Sequence, residues 1–163
     1  MKTLLVMRHA KSLPRYGVAD HDRPLNGRGR RDASRMGAAL RAEGLVPDVV
    51  LASSAERAQE TAVVAAVKAG VDGAVRVEPG LYEGEPQAYL DAVRRHGAGE
   101  VVLVVGHNPS VELVVEHLTD HHQAMSTGAV ARVALPIDAW AELGPYTQGA
   151  FLGLWRPREV PRL

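Results

Sequence analysis

Residues 101–105 read Val-Val-Leu-Val-Val and run straight into Gly106-His107-Asn108-Pro109. An unbroken apolar run of this length, without polar alternation, fits a strand covered on both faces. The Gly-His-Asn-Pro turn leads into a helix expected to end near Thr119. The same grammar recurs upstream. Residues 2–7 (Lys-Thr-Leu-Leu-Val-Met) are a second buried run that stops abruptly at Arg8-His9, and residues 48–52 are a third. Asn26 is placed to cap a helix reaching about Glu43, with Gly44 as its stop. Ser53-Ser54-Ala55-Glu56 matches a capping box, so the next helix runs to Ala69 and stops at Gly70. A weaker strand is expected at residues 74–77, a loop from Leu81 to Gly84, and a helix from Pro86 to His96 stopped by Gly97. Residues 128–136 and 150–155 read as two more strands. Residues 8–25, with Pro14, Gly17 and Pro24 among charges, read as a long loop.

Alternating strands and helices over the first two thirds predict a mostly parallel sheet with helices on both faces. Ligands of such sheets bind beyond the carboxyl ends of the strands. Three strands end at chemically capable residues: the first at Arg8-His9, the second just before Arg57, and the 101–105 strand at His107.

Composition narrows the chemistry. The chain has 163 residues, 46% hydrophobic and 23% charged, the balance of one globular domain rather than a disordered chain. Lysine plus arginine (19) equals aspartate plus glutamate (19), which argues against a globally basic nucleic-acid binder. The sequence holds no cysteine, which excludes disulfides, thiolate metal sites and a cysteine nucleophile. No signal peptide or membrane span is readable, so the expected location is the cytoplasm. Arginine supplies 16 of the 19 cations, the side chain suited to forked binding of phosphate or carboxylate.

Two histidines and two arginines near one sheet edge point to a phosphoryl group. Two guanidinium forks can neutralise a phosphate dianion and hold its oxygens, and phosphoryl transfer needs mainly positioning and charge stabilisation. A neutral imidazole can attack phosphorus and form a phosphohistidine that water then hydrolyses. The helix N-termini expected after residues 54 and 108 add N–H dipoles at the same place. There is no glycine-rich nucleotide loop and no carboxylate cluster for magnesium, so transfer without metal or cofactor is the expectation.

Four segments carry a family resemblance: Arg8-His9-Ala10-Lys11-Ser12, Arg23-Pro24-Leu25-Asn26-Gly27-Arg28-Gly29, Ser53 to Ala62, and Val105-Gly106-His107-Asn108-Pro109. In this order, across about residues 1–135, they resemble the histidine phosphatase (phosphoglycerate-mutase-like) superfamily. The small size and the motif forms look most like its SixA-type phosphohistidine phosphatase branch. Arg-His alone is a weak signal; the ordered set is a specific one. The resemblance implies a three-layer α/β/α sandwich, with His9 as nucleophile, Arg8 and Arg57 as phosphate clamps and His107 as a second phosphate-contacting histidine. Glu83 falls where many members carry the acid that protonates the leaving group, although the SixA branch often lacks it. The implied substrate is a phosphohistidine-bearing protein, with a small phosphoester as runner-up. A non-catalytic phosphoprotein-binding module on the same fold is the alternative outside the enzyme class.

Other residues have plainer readings. Ser12 either touches phosphate or shapes a turn, and Ser53 is a helix cap. His117 and His121 share a helical face by spacing, but the helix is expected to end between them, which makes them an exposed end rather than a metal site. Asp20-His21-Asp22 reads as a solvated loop. Trp140 and Trp155 read as packing residues.

Overall fold

The computed structural model describes residues 1–14 and 16–160. Six strands form one sheet: β1 (Lys2–Arg8), β2 (Val49–Ser53), β3 (Arg76–Glu78), β4 (Val101–Gly106), β5 (Val130–Leu135) and β6 (Ala150–Trp155). Four helices flank it: α1 (Gly27–Ala42), α2 (Glu56–Ala69), α3 (Pro86–His96) and α4 (Ser110–Thr119). The strand order is β3-β2-β4-β1-β5-β6. The first four strands in that order are parallel; β5 pairs antiparallel with β1 and β6 antiparallel with β5, so β5 alone runs against the other five and the sheet is mixed with a parallel majority.

The strands are apolar throughout because both faces are covered. In β1, Leu4 and Val6 point to one face and join Val102, Val104 and residues of α3 and α4 in a shared core. Leu5 and Met7 point to the other, against Met36 and Leu40 of α1 and Ala58, Ala62 and Ala65 of α2. The period-two alternation of a strand therefore feeds two cores, which gives the expected three layers. Trp140 is buried in the first core, and Trp155 packs at the margin of the second.

Helix ends follow local chemistry in some places and packing in others. Asn26 caps α1 by accepting the Gly29 N–H at 2.8 Å. Gly70 ends α2 in the left-handed region, at φ +86°. Gly97 ends α3 at φ −63°, so its role is not conformational freedom: a Cβ there would run into Trp140. The cap assigned to Ser53 is corrected. Ser53 is the last residue of β2, and α2 starts after Ala55 with no side-chain cap. Among the described residues no helix is long and apolar enough to cross a membrane.

Candidate active site

Arg8 ends β1, and the three residues from Arg8 to Ala10 are tied down on several sides. The His9 N–H donates to the Gly106 carbonyl of neighbouring β4 at 2.9 Å, and the Arg8 N–H to Ala129 at 3.0 Å. The Gly128 N–H donates to both the Arg8 and the His9 carbonyls, at 3.1 and 3.0 Å. From the α2 side, the Thr61 hydroxyl accepts the Ala10 N–H at 3.0 Å and donates to the Arg57 carbonyl at 2.7 Å. The backbone carrying His9 is thus over-determined, as a positioned reactive group requires.

His9 is buried, with only 8% of its surface exposed. Its Nδ1 lies 2.8 Å from the Ala10 carbonyl oxygen. A carbonyl only accepts, so Nδ1 carries the proton and Nε2 keeps a free lone pair. Burial pushes the imidazole pKa down to about 3, with His107, Arg57 and Arg8 adding in the same direction against the Ala10 hydrogen bond. The ring is neutral at physiological pH, the state a nucleophile needs.

His107 follows the end of β4, its ring centroid 5.2 Å from that of His9. Behind it, the buried Tyr89 hydroxyl accepts the His107 N–H at 3.0 Å and donates to the Leu81 carbonyl at 3.3 Å. Gly106 is required at this point, because a Cβ there would collide with the Tyr89 hydroxyl. His107 Nε2 lies 2.8 Å from the Ser53 hydroxyl oxygen, which also accepts the Ala55 N–H at 3.2 Å. Burial and then Arg57 push the His107 pKa down to about 4, opposed by Asp20.

The two arginines are held differently. Arg8 donates from Nη1 to the Met125 carbonyl at 3.1 Å. Arg57, the second residue of α2, is buried and donates to both the Asp20 carbonyl (2.8 Å) and its carboxylate (3.1 Å). The Nε atoms of Arg8 and Arg57 are buried without a hydrogen-bond partner, two cationic donors within one cluster. A cation in the first turn of a helix calls for a nearby anion. The chain supplies one itself in Asp20, whose carboxylate lies 3.1 Å from Arg57.

Asp20, expected in a solvated loop, is a hub. Its carboxylate accepts from Arg23 (3.1 Å), Arg57 (3.1 Å) and the Tyr82 hydroxyl (2.8 Å). The Tyr82 hydrogen bond, then Arg57, holds its pKa down at about 2, so it stays charged. His21 joins the same wall, with Nε2 2.8 Å from the Ser54 hydroxyl oxygen and its ring edge-on to Tyr82 at 4.7 Å. Tyr82 in turn stands edge-on to His107 at 5.7 Å. Asp20, His21, Tyr82 and Ser53 are therefore site-wall residues that sequence reading missed. The one signal was position in the sequence: Asp20 and His21 precede Arg23, Tyr82 precedes Glu83, and Ser53 opens the segment that carries Arg57.

The other candidates have their own surroundings. Glu83, on the turn after Tyr82, is exposed and sits at φ 58°. Ser12 pairs through its backbone in a β-bridge with Leu25, which ties the loop after His9 to the start of α1. His117 lies 2.6 Å from the Pro145 carbonyl, His121 stacks on Phe151 and His122 faces Glu116 at 3.5 Å, so the three have separate partners. No group of three or more His, Asp or Glu side chains among the described residues is arranged to hold a metal ion.

Residues 4–87, which contain Arg8, His9, Asp20 and Arg57, match the model of the histidine phosphatase superfamily (branch 1). The chain belongs to that superfamily. The chain is also 42% identical over 105 residues to an uncharacterized protein of Mycobacterium tuberculosis, a match spanning 64% of the length of each. Among solved histidine phosphatase folds, a candidate phosphohistidine phosphatase SixA of Nakamurella multipartitia superposes with a TM-score of 0.84 at 29% identity, covering 96% of both chains. A protein histidine phosphatase SixA complexed with tungstate gives 0.80 at 25% identity, covering 96% of this chain and 97% of that one. The fold is SixA-like.

Proposed function

We propose that the protein is a phosphatase that works through a phosphohistidine at His9 and acts on phosphohistidine borne by a protein. The observation that carries this reading is the His9 tautomer: Nδ1 is spent on the Ala10 carbonyl, leaving Nε2 unprotonated on a ring whose charge state both Arg8 and Arg57 influence. In the first step Nε2 forms a bond to phosphorus while the bond from phosphorus to the substrate nitrogen breaks. Positive charge arising on the His9 ring is stabilised by the Nδ1–H donated to Ala10. In the second step water attacks the phosphoryl group, the His9 nitrogen leaves, and neutral imidazole and inorganic phosphate remain.

Arg8 and Arg57 hold the non-bridging oxygens, whose charge they match bidentately. When the Ser53 hydroxyl donates to Nε2 of His107, the proton resides on Nδ1, and that N–H is available to a phosphoryl oxygen. A phosphohistidine protonated on its free nitrogen departs as neutral imidazole and needs no acid. This fits an exposed Glu83. The likeness to proteins described as SixA phosphohistidine phosphatases, one of them holding the tetrahedral oxyanion tungstate, supports the same substrate class.

Rapid quench after brief incubation with labelled substrate tests the reading. Label on the protein that is acid-labile, base-stable and absent from His9→Ala is expected; label retained in His9→Ala overturns it. A small phosphomonoester is the competing substrate, and there Glu83 would protonate an alkoxide. Glu83→Gln is expected to leave phosphohistidine turnover within about twofold, and a large loss on esters alone would move the assignment to a phosphomonoesterase.

A further inference from the structure

The first turn of α1 contains no acidic residue, yet Arg28, Arg30 and Arg31 sit near its N-terminus, against the helix dipole. With Arg35 and, across from it, Arg158, these side chains line a groove of about 1000 Å³ that also includes Ser126 and Thr127. The local carboxylates do not balance this charge. Arg28 and Arg35 share the buried Asp32, at 3.5 and 2.7 Å, and Arg30 reaches Glu60 at 3.3 Å. Arg31 and Arg158 have no carboxylate partner among the described residues, and Arg35 Nε is buried without a hydrogen bond. A chain with no net charge has concentrated five guanidinium groups in one place.

The groove lies beside the catalytic cluster and is not part of it, since none of His9, Arg57, His107 and Asp20 lines it. Thr127 of its lining is followed in the chain by Gly128, whose N–H holds the Arg8 and His9 carbonyls. Guanidinium groups spread over two elements suit an extended polyanion better than one compact dianion, which two forks already satisfy. The lining contains no Phe, Tyr or Trp to stack a base, which disfavours single-stranded nucleic acid. We propose that this groove docks an acidic stretch of the phosphoprotein whose phosphoryl group His9 accepts. The proposal rests on the function proposed above and adds a second, charge-selective contact to it.

Two synthetic peptides test it, each with one phosphohistidine, flanked in one by a run of glutamates and in the other by glutamines. At about 50 mM NaCl the glutamate peptide is expected to show a kcat/KM at least about tenfold higher, falling to parity near 500 mM salt. The triple variant Arg28→Gln, Arg31→Gln, Arg158→Gln should lose the preference while keeping the wild-type rate on the glutamine peptide. Equal turnover of both peptides by wild type, or a preference that survives in the variant, overturns the proposal. Anisotropy of a fluorescent, unphosphorylated glutamate peptide needs no turnover. Binding to wild type that the variant lacks supports docking even where neither peptide is hydrolysed, an outcome that counts against the phosphatase reading alone. Absence of binding, or displacement by inorganic tripolyphosphate or an oligouridylate at tenfold lower concentration than by unlabelled peptide, also overturns it.

Discussion

At the scale of the residue, chemistry in this protein depends on which atoms are already spoken for. His9 donates its Nδ1–H to the Ala10 carbonyl, and Arg57 is gripped by Asp20 through both backbone and carboxylate. On the function proposed above, an incoming phosphoryl group meets an Arg57 that is oriented but already partly neutralised. Asp20→Ala should lower kcat roughly tenfold through loss of that orientation, while inhibition by inorganic phosphate does not weaken, because one competing anion is gone. Steady-state kinetics with phosphate as inhibitor reads both. Weaker phosphate inhibition with unchanged kcat would contradict the assigned role.

At the scale of the element, the end of β4 sets the position of His107. Tyr89 of α3 reaches under Gly106 to accept the His107 N–H, so a helix on one face fixes a residue at the sheet edge. Tyr89→Phe leaves that buried N–H and the Leu81 carbonyl without a partner. The cost is about 1–3 kcal/mol, with a Tm lower by roughly 2–4 °C for each kcal/mol. Thermal unfolding and turnover should both fall; an unchanged Tm would show that water takes over these bonds. Elements of this kind were legible in sequence where their cause is local. The doubly covered strands, the Asn26 cap and the Gly70 stop each depend on neighbours within a turn or on burial itself. Ser53 resembles a cap because it is a serine three residues before the start of a helix, whereas its hydroxyl serves His107, 54 residues further on. The loop before α1 stayed opaque for the same reason. Asp20 takes its structure from Arg57 and Tyr82, 37 and 62 residues away, and no periodicity encodes contacts at that range.

At the scale of the whole molecule, burying two neutral imidazoles beside two guanidinium groups couples the site to stability. Both histidines have folded pKa values, about 3 and about 4, below the ordinary 6.5. Between those limits the unfolded chain binds more protons than the folded one, so stability must fall as pH drops below 6.5. By pH 5 each imidazole removes roughly 1–2 kcal/mol. Denaturant midpoints at pH 7 and 5 should differ clearly in wild type and much less in a His9→Gln, His107→Gln double variant. Asp20, held near 2, adds its own loss only below about pH 4. The same molecule-wide view explains why four separated motifs act together: parallel β1, β2 and β4 deliver Arg8, Arg57 and His107 to one sheet edge.

The most direct measurement is to trap the covalent enzyme intermediate, digest it and identify the modified atom by mass spectrometry and phosphorus NMR. A single phosphoryl group on Nε2 of His9 is expected. Phosphate on Nδ1 of His9, on His107 or on any other side chain would contradict a nucleophile whose Nδ1 is committed to the Ala10 carbonyl.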